Sequence, residues 1–543
     1  MKFASGGFLC FAVLAGCAVG DPAVIAGAAP LEEGGGAAID ASVAVTRDGS
    51  GGLTTDEAAL AAYDASAPAL SEGGAEGSSP PVVDGSSARP APDPRLPPEP
   101  TIAPPCATLS AAKAATNGFL PDENNPDTAR IQSAISGCAP GHSVKLQSAG
   151  ANNAFLSGPL TMAAGVTLWV DASTTLFASR DPREFDISAG SCGTYANNSS
   201  AGCKPLIAVG VANAAIAGDG VIDGRGGEPM IGSTTTSWWD LAKAGKAAGS
   251  KHSNPTLIDV SGTQSFTLYR IALHNSPAAH VVLTSKGFVV WGVTVLTPSA
   301  ARNSLGNALT ANDAPNTDGI DPSGASDGFL VYSKISTGDV QIAVKAGSRG
   351  PAHNLVIAHD RLGTGHGMAI GSETNNGVSN VAIYDLSMDG SLPDGKMSSA
   401  DRNGIRLISG PSRGGHVTGV TYSDVCVRDL DNPIVIDARA STPSGSLVPL
   451  FDNVIVSRFH ALHTSVVPSV TLNGYDASHT LGVTLDDVVV DGILASNVKA
   501  SFAATTLGPG PVNFVPSGMG VTVSDRTSSA GQAGSCAEKW VTF

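Results

Sequence analysis

A nine-residue frame recurs through the second half of the chain, opening on Gly, Asn or Ser and carrying apolar residues at positions 2, 4 and, in most copies, 7. It reads SFTLYRIAL from Ser265, GFVVWGVTV from Gly287, GFLVYSKIS from Gly328, NLVIAHDRL from Asn354, NVAIYDLSM from Asn380, GVTYSDVCV from Gly419, NVIVSRFHA from Asn453 and GVTLDDVVV from Gly482. Positions 2 and 4 lie on one face of a strand, and the change of phase before position 7 marks a bend into the next strand. Successive frames start 22 to 41 residues apart. A unit of that size cannot bury its own apolar face, so it must stack on its neighbours. Val and Ile fill the frames while Gly and Asn punctuate them, which predicts strands rather than the paired helices of a helical solenoid. The Leu/Asn spacing of a leucine-rich horseshoe is absent. The expected fold is all-β: a single-stranded, right-handed parallel β-helix over residues 106 to 543, with loops inserted in the longer coils. A short amphipathic helix starting at Asp127 and reaching Ile135 caps the first coil.

The chain ahead of this domain has a different character. Met1-Lys2-Phe3 and the apolar run from Phe8 to Leu14 have the basic start and short core of a secretory signal over residues 1 to 16, too short to span a bilayer. Leu14-Ala15-Gly16-Cys17 follows and resembles a bacterial lipobox, which makes Cys17 the expected lipidation site; Ala18 after it points to the outer membrane, and secretion without an anchor is the alternative. From there to about Pro105, Ala, Gly, Ser and Pro dominate with no sustained period, as in a disordered tether. Thirteen acidic residues against Arg47, Arg89 and Arg95 give this stretch a net charge of −10, out of −16 for the chain. Much of the acidity therefore belongs to the spacer and says little about the ligand. A flexible coil of that length reaches about 50 Å, enough to hold a domain clear of an envelope.

Six cysteines remain beyond the leader: Cys106, Cys138, Cys192, Cys203, Cys426 and Cys536. An even number in an exported domain predicts disulfides, and proximity in sequence favours Cys106 with Cys138 and Cys192 with Cys203, leaving Cys426 with Cys536. The metal-binding alternative lacks the close Cys/His spacing it needs. No metal, cofactor or nucleic-acid partner is expected, and the domain is expected to be a monomer.

Four short elements carry the chemistry: Asn316-Thr317-Asp318-Gly319-Ile320-Asp321, Gly338-Asp339, Gly365-His366-Gly367 and Arg406-Leu407-Ile408. They follow one another at about one coil each, which stacks them on one face at roughly the 4.8 Å spacing of neighbouring strands. In this order and context they resemble the active-site signature of glycoside hydrolase family 28, the polygalacturonases. Gly218 to Gly226 with Trp238-Trp239-Asp240, and His274-Asn275-Ser276-Pro277, resemble upstream segments of that family. The resemblance implies the β-helix and cofactor-free, inverting hydrolysis of galacturonosyl links in pectic chains. Asp339 takes the place of the general acid and Asp318 that of the base, with His366 orienting them or binding the sugar at the cleavage point. Asn316, Asp321, Lys345 and Arg406 take substrate-binding places, Arg406 being suited to hold a uronate carboxylate in a bidentate pair. An Asp serving as acid needs a raised pKa, and the family's pattern provides a second Asp beside it.

Two positions depart from the pattern. Where the family reads Asp-Asp this chain has Asp339-Val340, and where it reads Arg-Ile-Lys this chain ends in Ile408. The alternatives that these departures keep open are a hydrolase of substituted pectin, such as rhamnogalacturonan or xylogalacturonan, and a non-catalytic pectin-binding β-helix. A polysaccharide lyase shares the fold but needs an acidic calcium cluster and an Arg base. The two adjacent tryptophans fit either sugar stacking or core packing.

Overall fold

The computed structural model describes residues 93–194, 202–302, 306–391, 402–440, 444–463, 467–526, 536–537 and 539–540. The leader, Cys17 and the tether to residue 92 lie outside them, as does most of the inserted segment between Gly390 and Asp401.

Winding follows from two left-handed corners in most repeats, at positions 1 and 6 of the frame. Positive φ occurs at Ser265 and Arg270, Gly287 and Gly292, Asn354 and His359, Asn380 and Asp385, Gly419 and Asp424, and Asn453 and Arg458. Each pair turns the chain sharply at both ends of a short strand, which converts a linear repeat into a coil. Asn and Asp tolerate this conformation because their side chains can satisfy nearby polar groups. At the first corner they also bond between coils: Asn354 donates to Asp327 at 2.8 Å and Asn380 to Asn354 at 2.8 Å. One frame is displaced by a residue from the sequence expectation. The corner falls on Asp327, with Tyr332 as its mate, so Gly328 takes position 2 opposite Phe288. A Cβ on Gly328 would stand 2.0 Å from the Phe288 ring, so the large ring below explains the missing side chain above.

The ladders built from these strands run parallel, so the expected parallel β-helix is what forms; it is right-handed. One of its faces positions the site. It stacks Ile320–Pro322, Ile342–Val344, Met368–Gly371, Asn403–Ile408, Asn432–Asp437 and Val470–Asn473 in that order. Their inward residues Ile320, Ile342, Met368, Ile405, Ile434 and Val470 form one buried column. Burial of each contributes about 1.5–3 kcal/mol, which fixes the register that the outward side chains depend on.

The helix at the first coil spans Thr128–Gly137. Cys106–Cys138, Cys192–Cys203 and Cys426–Cys536 are bonded, matching the expected pairing. A second helix, Trp238–Ala247, has a sequence signal that passes unnoticed among its alanines: Ser237 and Asp240 form a reciprocal capping box. Both tryptophans at its start are 1% exposed, and Trp239 Nε1 donates to the Ser276 carbonyl at 2.9 Å. Core packing, not sugar stacking, accounts for them.

The folded body also begins ahead of Cys106, where the sequence places its start. The Arg95 guanidinium lies 3.7 Å from the Tyr384 ring centroid, Leu96 packs against the cluster of Val331, Ala358 and Tyr384, and Tyr269 donates to Glu99 at 2.8 Å. Prolines and small residues hide such a strap in sequence, because its contacts are all to distant coils.

Candidate active site

Successive coils deliver the polar groups in register. Ile320 pairs with Ile342, Ile342 with Met368 and Met368 with Ile405, so the four elements seen in sequence occupy four consecutive coils. Asp318, Asp339 and His366 sit at the bends just before their strands, where backbone can vary without disturbing the buried column. Arg406 lies within its strand, in the outward column that starts at Asp321 and passes Ala343 and Ala369. Three strand steps separate Asp321 from Arg406, roughly 14 Å. The two residues between them, Ala343 and Ala369, are small and buried.

Asp339 is held from several sides. Its Oδ1 lies 3.0 Å from His366 Nδ1 and accepts from Val340 N–H at 2.9 Å, while Oδ2 accepts from Asn316 N–H at 3.1 Å. His366 N–H in turn donates to the Asp339 carbonyl at 2.9 Å. Asn316 adopts φ +60°, which aims its N–H across the coil. Its expected binding role therefore begins with its backbone. Burial pushes the Asp339 carboxyl up, but the hydrogen bond and charge of His366 and the two N–H groups outweigh it and hold the pKa at about 2. This departs from the raised pKa expected for an acid. Val340 supplies no carboxylate beside Asp339, so burial is opposed by His366 and the two N–H groups without the help of an adjacent Asp.

Asp318 and Asp321 behave in the opposite way. Lys345 Nζ stands 2.7 Å from Asp318 Oδ2 and 2.6 Å from Asp321 Oδ2, bridging the coils. Burial pushes Asp318 well above the usual carboxylate range; Lys345 opposes this, and Asp321 and Asp339 reinforce it. Asp321 is raised by burial as well, again against Lys345. Desolvation lowers Lys345, yet the two carboxylates outweigh it and keep it firmly cationic. Lys345, expected to meet substrate, thus has its charge engaged between two acids.

Three supporting residues were not singled out from sequence. His280 is fully buried; its N–H and Nδ1 lie 2.8 and 2.9 Å from the Asp318 carbonyl, and its Nε2 lies 2.7 Å from Thr297 Oγ1. Burial brings its pKa down to about 4, so it acts as a neutral clamp on the Asp318 bend. Gln341, 1% exposed, donates to the Gly363 carbonyl at 2.7 Å and accepts from Gly367 N–H at 2.6 Å, fixing the loop that carries His366. Thr337 donates to the Asp339 carbonyl at 2.8 Å. A polar residue one step from a motif gives no sign in sequence of which backbone it will hold. The upstream segments also converge: Asn275 donates to Asp223 at 2.9 Å, and Ser276 receives Trp239, so they brace the cleft wall.

Asp318, Asp321, Asp339 and Lys345 line one end of a cleft of about 610 Å³, which continues along the loop after helix Trp238–Ala247. Two carboxylates on adjacent coils beside an open groove can act on the two faces of one glycosidic bond.

A β-helix with this carboxylate-lined cleft belongs to the class of polysaccharide-active enzymes, and comparison with known proteins makes the class specific. The model of the family described as "Glycosyl hydrolases family 28" matches residues 136–506, and the chain belongs to that family. It is a glycoside hydrolase. A "Polygalacturonase" of Ralstonia solanacearum is 39% identical over 460 residues, covering 79% of this chain and 85% of that protein. An "Endo-polygalacturonase" of Pectobacterium carotovorum subsp. carotovorum is 38% identical over 385 residues, covering 70% and 88%. The solved polygalacturonase from Erwinia carotovora ssp. carotovora superposes with a TM-score of 0.61 at 32% identity, covering 81% of this chain and 99% of that one.

Proposed function

We propose that the protein hydrolyses galacturonosyl linkages in pectic polysaccharide, with inversion, using Asp339 as proton donor and Asp318 as base. The observation that carries this reading is the pairing of Asp339 with His366 at 3.0 Å on the coil next to Asp318, beside an open cleft. Because Asp339 alone is held at about 2, the proton for the leaving oxygen comes through its hydrogen bond from His366. The C–O bond breaks as that oxygen takes the proton; a water adds to the sugar carbon and gives its own proton to Asp318. Inversion needs room for that water, a carboxyl separation of about 6.5–9.5 Å. Arg406 holds a uronate carboxylate on the C-terminal side of the cut. The relatives named polygalacturonase support the same substrate class.

Ile408, in register with Gly371 and Asp437, supports a second reading, in which the leaving-group side takes a substituted or neutral sugar. Parallel product assays on polygalacturonate, rhamnogalacturonan and xylogalacturonan test both. New saturated reducing ends from polygalacturonate support the first, preference for a branched polymer supports the second, and an ultraviolet-absorbing unsaturated product contradicts both. Three disulfides fit an exported protein. Cys17 as a lipid anchor extends that reading.

A further inference from the structure

The cleft does not stop at the carboxylates. On the side of the preceding coils its floor is apolar and low, formed by Ala278, Ala279 and Val282, while its wall is the end of helix Trp238–Ala247 and the loop that follows. That wall carries Lys246 and Lys251 at the surface and His252 partly covered. Among the described residues neither lysine forms an ion pair, whereas Lys243 on the same helix is tied to Asp313 at 2.6 Å and Lys345 to two acids.

The loop is built rather than loose. Ser250 N–H donates to the Gly245 carbonyl at 2.9 Å, and Asn254 Nδ2 donates to the carbonyls of Trp238 at 2.8 Å and Pro277 at 3.1 Å. Gly245 suits this fold-back: a Cβ there would sit tightly at 3.1 Å from the Ser250 carbonyl and 3.3 Å from His252 Nδ1. Buried Trp238 and Trp239 root the helix beneath it. The backbone that carries Lys246 and Lys251 is thus held beside an apolar floor, on the N-terminal-coil side of Asp318 and Asp339, with Arg406 on a later coil. This placement attracts anions into the cleft from a direction that the four sequence elements do not cover.

We propose that Lys246 and Lys251 form a uronate-binding subsite on the N-terminal-coil side of the catalytic carboxylates, so that a polyanionic chain is gripped on both sides of the scissile bond. This rests on the reading of the cleft as galacturonan-binding. Each ammonium meets a sugar carboxylate as a point charge, and Val282 with the two alanines carries the ring faces. The subsite adds affinity for long chains and none for a disaccharide confined to the cut.

The test is titration calorimetry of the Asp339→Asn protein with heptagalacturonate and digalacturonate. Adding Lys246→Ala with Lys251→Ala raises the heptamer Kd by about tenfold, roughly threefold per exposed charge pair, and flattens its salt dependence. Lys-to-Arg at both positions keeps most of the affinity, and Lys286→Ala, an exposed cation elsewhere, changes nothing. A heptamer Kd within twofold of the background in the double Ala variant, with unchanged melting, overturns the subsite while leaving the galacturonan reading intact. Failure of the background to bind heptagalacturonate at all contradicts that reading itself, and the subsite with it.

Discussion

His366 Nδ1 lies 3.0 Å from Asp339 Oδ1, and the same histidine's backbone N–H reaches the Asp339 carbonyl at 2.9 Å, so ring and backbone are locked to one residue on the neighbouring coil. A proton donor depressed to about 2 is inert unless this partner supplies the proton. His366→Ala is therefore expected to lower kcat by about 10²-fold with a smaller change in KM. Removing the imidazole also lets the Asp339 pKa rise, which can be followed by carboxyl NMR. Unchanged kcat assigns His366 to structure alone.

The acidic limb of the pH–rate profile belongs to Asp318. Its folded pKa is raised, so it loses its ability to accept a proton as pH falls through that raised value, and activity falls with it. Asp321 contributes to the rise through its charge, and it shares Lys345. Asp321→Asn removes one repulsion and leaves Lys345 to Asp318 alone, so the acidic limb should move to lower pH. A limb that stays in place, or moves up, shows that another group sets it.

Restoring the family's residues tests the two departures together. Val340→Asp places a carboxylate beside Asp339, raising its pKa and supporting the water; Ile408→Lys adds a cation two residues beyond Arg406. The double variant should turn over plain polygalacturonate faster and with lower KM than the parent. A slower variant that melts normally points to a site adapted to a different sugar.

The lipobox reading has a direct check. Cys17→Ser removes the lipid attachment point and should move the protein from the membrane fraction to the soluble one. Unchanged partitioning rejects it.

Much of the architecture was legible because the repeat is enforced by burial. Val, Ile and Leu at positions 2 and 4 can only stack, and Asn354, Asn380 and Asn453 mark the corners by residue type. The frame at Gly328 slipped by one because Phe288 of the preceding coil fills the volume its side chain would take, a compensation between coils that no single frame reveals. Asp318, Asp339, His366 and Arg406 could be placed on consecutive coils from spacing alone. Their electrostatics could not, since the charge of Lys345 and the hydrogen bond of His366 depend on side-chain direction across coils. His280 and Gln341 were hidden for the same reason: each acts on residues tens of positions away.

The most direct test of the account is the rate of reducing-end release from the best pectic substrate by the parent, Asp339→Asn and Asp318→Asn, with folding checked by melting. The account predicts saturated products from the parent and a loss of about 10²- to 10⁴-fold in each variant. Near-parental rates in both variants would contradict the catalytic pair.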